Sequence, residues 1–138
     1  MTNPLRPELS IFFNYNFKMS SNYSRAGFLT GRYPFRYGMG SEALELAAPI
    51  GLDENEELLP KFLKGGGYST HMIGKWHLGL CKKAFEPTSR GFDTFFGNYM
   101  GQINYFTHEV SNNITDYFNN TKAILQNSYC GTDWTDEG

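Results

Sequence analysis

Gly67-Tyr68-Ser69-Thr70-His71-Met72-Ile73-Gly74-Lys75-Trp76-His77-Leu78-Gly79 carries a short apolar run that ends in a lysine and a histidine two residues apart. Read as a strand from Tyr68 to Lys75, the run gives alternate residues a common face. Lys75 and His77 then project together while Trp76 points the other way into packing. A fixed ammonium beside a titratable imidazole suits an anionic substrate: the lysine supplies charge, and the histidine donates a hydrogen bond or passes a proton near neutral pH. The competing reading is an ordinary strand ending in a polar turn. His71 falls in a different register and is expected to be structural.

Upstream, Asp53 is expected to cap a helix with Glu56 in the capping-box position, and Leu58, Leu59, Phe62 and Leu63 form its apolar face. Pro60 should disturb the first turns of this helix, and Gly65-Gly66-Gly67 should stop it. Further upstream a short helix is expected over Ser24 to Thr30, capped by Ser20, Ser21 or Asn22 and ended by Gly31. Such a helix aims its free N–H groups and positive dipole end at position 21. Arg25 in its first turn opposes that dipole, a placement that makes sense if the guanidinium meets an anion. Arg32 and Arg36 read as salt-bridge partners or solvated charges. Asn14 to Phe17 reads as a strand remnant, and Tyr117 to Gln126 as a further helix after an Asn-rich loop. Strand, helix, helix, strand with Gly-rich connections fits an α/β layer fold.

The chain has 138 residues, enough for one domain with a real core. Twelve basic against fourteen acidic residues give a net charge of −2, and no basic run points to nucleic acid. An anionic partner would have to be held by local geometry. Aromatic residues make up 17%, clustered at Phe12-Phe13, Tyr33 to Tyr37 and Phe92 to Phe106, which core packing explains. No apolar run is long enough to span a bilayer, and the first residues lack the basic start and apolar core of a signal peptide. Cys81 and Cys130 are expected to be two thiols rather than one bridge.

Two blocks, Ser24-Arg25-Ala26-Gly27-Phe28-Leu29-Thr30-Gly31-Arg32 and Gly67-Tyr68-Ser69-Thr70 with Gly74-Lys75-Trp76-His77, resemble the paired signatures of the sulfatase family. The text from Leu58-Leu59-Pro60 to Arg90-Gly91-Phe92-Asp93-Thr94-Phe95-Phe96-Gly97 is most similar to the arylsulfatase B branch of that family. The resemblance runs from about Asn14 to the end, so residues 14–138 are expected to be part of a sulfatase N-terminal domain and residues 1–13 an unrelated segment. It implies an incomplete, alkaline-phosphatase-like α/β fold. It also implies relatives that hydrolyse sulfate esters of glycosaminoglycan sugars or aryl sulfates, and a lysosomal or secreted location. By this resemblance Lys75 holds sulfate oxygens, His77 bonds the nucleophile or substrate, Arg25 steadies the nucleophile loop and Ser21 stands at the nucleophile position. His108 approaches the substrate mouth by resemblance but is left out of the catalytic set.

The chain departs from the family where the chemistry is hardest. The family opens its first signature with C-x-P-S-R and oxidises the cysteine to formylglycine; here the text is Ser21-Asn22-Tyr23-Ser24-Arg25. The aldehyde hydrate offers one hydroxyl to attack sulfur and a second to expel sulfate. A plain serine has one, so it could be sulfated once and would then need water to attack the ester. The resemblance also implies a bound Ca2+, held by an Asp-Asp pair and later ligands. No Asp precedes Asp53 and no Asp-Asp pair occurs, so the metal site is expected to be incomplete, with Asp133, Asp136 and Glu137 as surface acids. Little or no activity is expected from this chain alone, which reads as a middle slice of a larger domain. Two other readings are a non-catalytic anion or sulfated-glycan binding protein and a metal-dependent phosphoryl-transfer enzyme using Ser21. Sequons fall at Asn22, Asn113 and Asn119; Asn113 and Asn119 are the candidate glycosylation sites, while Asn22 should be buried at the site itself.

Overall fold

The computed structural model describes residues 20–38, 49–111, 114–125 and 129–130. Helix α1 spans Ser21–Thr30 and α2 spans Leu59–Gly65. Four strands, β1 (His71–Ile73), β2 (Thr94–Gly97), β3 (Phe118–Asn119) and β4 (Lys122–Ala123), form one sheet in that order. β1 and β2 are parallel, with Met72 opposite Phe95, and the remaining pairs are antiparallel. This is an α/β arrangement with a mixed sheet, as the order of elements implied.

The parallel pair requires a crossover, and residues 74–93 supply it through two 3-10 turns, Lys83–Phe85 and Pro87–Arg90. Trp76 and Leu78 on this crossover join Ala26, Leu52, Leu58, Phe95 and Tyr99 in the core. Trp76 is buried as expected, and its indole N–H donates to the Phe85 carbonyl at 2.9 Å, which removes the cost of burying that donor.

α1 begins three residues earlier than expected. Ser20 is its N-cap residue, and no serine side chain caps it. Gly31 ends it in the left-handed conformation, φ 65°, as expected. The expected helix forms, but it starts at Leu59 and not after Asp53, and it ends in the glycine run as expected. Asp53 instead accepts from the Asn55 backbone N–H at 2.8 Å, a local turn, and Glu56 pairs with Arg32 at 2.6 Å. The buried Arg90 guanidinium fixes this turn by donating to the carbonyls of Leu52, Asp53 and Glu56 at 3.2, 2.8 and 2.9 Å. Pro60 therefore opens α2 instead of disturbing it, because a first-turn N–H has no helical partner to lose. The expected apolar face is only partly used: Leu58 is buried, while Leu59, Phe62 and Leu63 are exposed.

β1 is shorter than the strand read from Tyr68 to Lys75. The chain leaves extended geometry at Gly74 (φ 104°) and His77 (φ 57°). His71 bonds the Thr94 side chain at 2.8 Å across the parallel pair, consistent with a structural part. The helix expected from Tyr117 is the β3–β4 hairpin. Asn120 turns it at φ 54°, a conformation asparagine tolerates, and its side-chain oxygen accepts from the Phe95 N–H at 2.9 Å. No disulfide joins Cys81, which is exposed, to Cys130, which is buried. The Asn14 to Phe17 segment lies outside the described residues.

Candidate active site

Ser21 is the first residue of α1, and its hydroxyl turns away from the helix toward the end of β1. Lys75 Nζ donates to Ser21 Oγ at 2.7 Å, and His77 Nδ1 lies 2.9 Å from the same oxygen. Lys75 and His77 do converge, but through a turn and not along a strand face. The left-handed backbone at His77 swings its ring back over Ser21 while its N–H donates to the Tyr99 carbonyl at 2.8 Å. A hydroxyl that accepts from an ammonium can donate its own proton to an unprotonated His77 Nδ1.

Arg25, one helical turn on, donates from Nη1 to the Lys75 carbonyl. Its Nε is buried with no hydrogen-bond partner among the described residues. The cation thus meets a carbonyl instead of the anion that the sequence suggested, with the buried Nε–H left over. Burial, and then the charge of Arg25, push the Lys75 ammonium below its ordinary pKa. Burial also lowers that of Arg25. Of the two arginines read as salt-bridge partners or solvated charges, Arg32 pairs with Glu56, and Arg36 is exposed and lies over the Phe35 ring at 5.6 Å.

Residues 98–101 form the opposite wall. Gly101 accepts from Lys75 Nζ at 2.7 Å, and a Cβ on Gly101 would come within 2.7 Å of the His77 ring. The carboxylate of Asp116 accepts from the Tyr99 and Met100 N–H groups at 3.0 and 2.7 Å. Sequence reasoning missed Asn98, Gly101 and Asp116. Their part depends on long-range backbone contacts that have no short-range pattern.

The sulfatase family model matches residues 7–133. The chain belongs to the sulfatase family. It is 44% identical over 95 residues to mouse arylsulfatase J, covering 69% of this chain, and 43% identical over 82 residues to pig N-acetylgalactosamine-6-sulfatase, covering 54%. It spans 16% of the length of each of these curated relatives. Among solved structures it resembles Ps i-CgsB, with a TM-score of 0.75 at 27% identity, covering 83% of this chain and 29% of that one. The α/β segment described above is therefore part of an alkaline-phosphatase-like sulfatase fold.

Among the described residues, the site of this sulfatase segment does not fit calcium. The side chains around Ser21 are a lysine, an arginine and a histidine, whereas calcium takes several oxygen ligands, mostly carboxylates. Among the described residues no three His, Cys, Asp or Glu side chains come together to hold an ion. Asp133, Asp136 and Glu137 lie outside the described residues, as does Asn113. Asn119 is exposed on β3, and Asn22 is fully buried beside Ser21, as expected of that sequon. His108 is buried and packs its ring on Tyr117 at 4.1 Å, away from the Ser21 cluster's hydrogen bonds. No helix among the described residues is long and apolar enough to cross a membrane.

Proposed function

We propose that residues 14–138 form the nucleophile-bearing part of a sulfate-ester pocket of the arylsulfatase B type, in which Ser21 is the acceptor atom and Lys75, His77 and Arg25 hold the ester. The observation that carries this reading is the convergence of Lys75 Nζ and His77 Nδ1 on Ser21 Oγ. Lys75 has a third N–H for a sulfate oxygen, and the unpartnered Arg25 Nε adds a second donor. The substrate class is a sulfated sugar or aryl sulfate. One matched relative is an N-acetylgalactosamine-6-sulfatase, and the Ps i-CgsB structure has also been solved with k-i-k-neocarrahexaose.

Unmodified Ser21 limits the chemistry to one event. Oγ attacks sulfur, the bond from sulfur to the leaving oxygen breaks, the serine proton passes to His77 Nδ1, and water protonates the departing alkoxide or phenolate. The product is a sulfated serine with no second hydroxyl to expel the sulfate, so this chain alone has little or no turnover. Exposed Asn119, and Asn113, serve as glycan acceptors if the chain enters the secretory route that its family reading implies. A titration with inorganic sulfate tests the pocket. The chain binds sulfate, and Lys75→Met weakens binding by about tenfold or more, the worth of one charge-assisted hydrogen bond. Equal affinity in the two chains refutes the reading.

A further inference from the structure

Asp116 is 2% exposed, and among the described residues no cation pairs with it. A buried carboxylate without a counter-ion is costly unless several donors hold it. Its donors are two consecutive backbone N–H groups, those of Tyr99 and Met100, one on each oxygen.

The four carbonyls of the same segment are all engaged. Asn98 accepts from the Trp76 N–H at 2.8 Å and Tyr99 from the His77 N–H at 2.8 Å. Met100 accepts from the Asn98 side-chain amide at 2.7 Å, and Gly101 from Lys75 Nζ at 2.7 Å. Three of these four bonds go to Lys75, Trp76 and His77. The segment therefore works as a template: one side is clamped by Asp116 and the other sets the backbone of His77 and the ammonium of Lys75. A buried hydrogen-bond network of this kind fixes geometry because each unmade bond would be expensive.

We propose that Asp116 is a positioning residue of the anion pocket, its carboxylate clamping the 98–101 turn so that the Tyr99 and Gly101 carbonyls hold His77 and Lys75 over Ser21. The inference rests on the sulfate-pocket reading only for its consequence in binding; the clamp itself is geometric. An asparagine at this position presents one acceptor and one NH2 group, so it can satisfy only one of the two backbone donors and sets a donor against the other.

The test compares the parent chain with Asp116→Asn and Asp116→Glu. Each is checked for cooperative unfolding and then followed by NMR of the His77 ring, with and without inorganic sulfate. In folded Asp116→Asn the His77 ring signals shift before any sulfate is added, and sulfate affinity falls about tenfold, the equivalent of one lost buried hydrogen bond. In a double-mutant cycle Lys75→Met adds little further loss, because the ammonium is already misplaced. If Asp116→Asn does not fold, Asp116→Glu, which keeps the charge and both acceptors on a longer arm, gives the same ring shift and loss. Unmoved His77 signals with unchanged sulfate affinity in a folded variant overturn the inference. A parent chain that binds no sulfate, combined with moved His77 signals in the variant, refutes the pocket reading and leaves the clamp standing.

Discussion

Lys75 Nζ lies 2.7 Å from Ser21 Oγ although 54 positions of chain separate the two residues. The first residue of a helix and a residue just past a strand end meet because the 98–101 turn receives the lysine from one side and α1 presents the serine from the other. The same lysine is coupled to Arg25, whose guanidinium grips its carbonyl.

That coupling makes the Lys75 ammonium sensitive to Arg25. Arg25 lowers the Lys75 pKa by charge, after burial. Arg25→Met removes the repulsion, so the Lys75 pKa rises toward its ordinary value. NMR titration of the Lys75 side chain measures this. A Lys75 pKa that stays put or falls in Arg25→Met removes the electrostatic link.

Gly97 marks the closest approach of β2 to the turn after β1. Its φ is 145°, and a Cβ there would overlap the Gly74 carbonyl, so no side chain fits. Gly97→Ala should cost about 2 kcal/mol or more through strain and displaced backbone. Urea unfolding reads this loss directly, and a midpoint equal to that of the parent contradicts the packing described.

Arg90 replaces a helix cap with a clamp on three carbonyls. Lysine carries the charge but not the fork, so Arg90→Lys leaves buried carbonyls unpaired at a cost of roughly 1–3 kcal/mol. Thermal unfolding should show the loss, with the charge of the chain unchanged.

Asp116 also sets a pH dependence. Burial pushes its carboxyl up to about 6 from 3.8, against the pull of the two backbone N–H groups. The folded state therefore binds the proton more tightly than the unfolded state. The stabilisation from protonation is full below about 4 and is lost as pH rises toward 6, an effect of about 3 kcal/mol for a shift of this size. Asp93 runs the other way. Its bond with Lys64 and the Thr70 N–H hold its pKa at about 2, so its contribution is present above 3.8 and fades as pH falls toward 2. Unfolding free energy measured from pH 4 to 7 should fall in the parent and flatten in Asp116→Asn; an equal slope in both removes Asp116 as its source.

The sequence made the meeting of Lys75, His77, Arg25 and Ser21 legible, because they sit in two short blocks whose wording resembles one family. It also made the α/β order and the buried Trp76 legible through period-two spacing and glycine stops. The route was less legible. The strand ends at Ile73, and left-handed backbone at His77, stabilised by the distant Tyr99 carbonyl, does what a strand face was expected to do. Asp53 and Glu56 satisfied a local capping rule that Arg90, far along the chain, overrides. Asn120, in a stretch expected to be a helix, turned out to be a hairpin corner because its side chain bonds Phe95. In each case a long-range hydrogen bond outweighed a local preference worth about 1 kcal/mol.

The most direct measurement is to incubate the chain with 4-nitrophenyl sulfate, follow nitrophenolate release, and locate any added sulfo group by peptide mass spectrometry. One equivalent of phenolate per chain is expected, with the sulfo group on Ser21 and none on Ser21→Ala. Sustained release beyond one equivalent, or a chain left without label on Ser21, would contradict it.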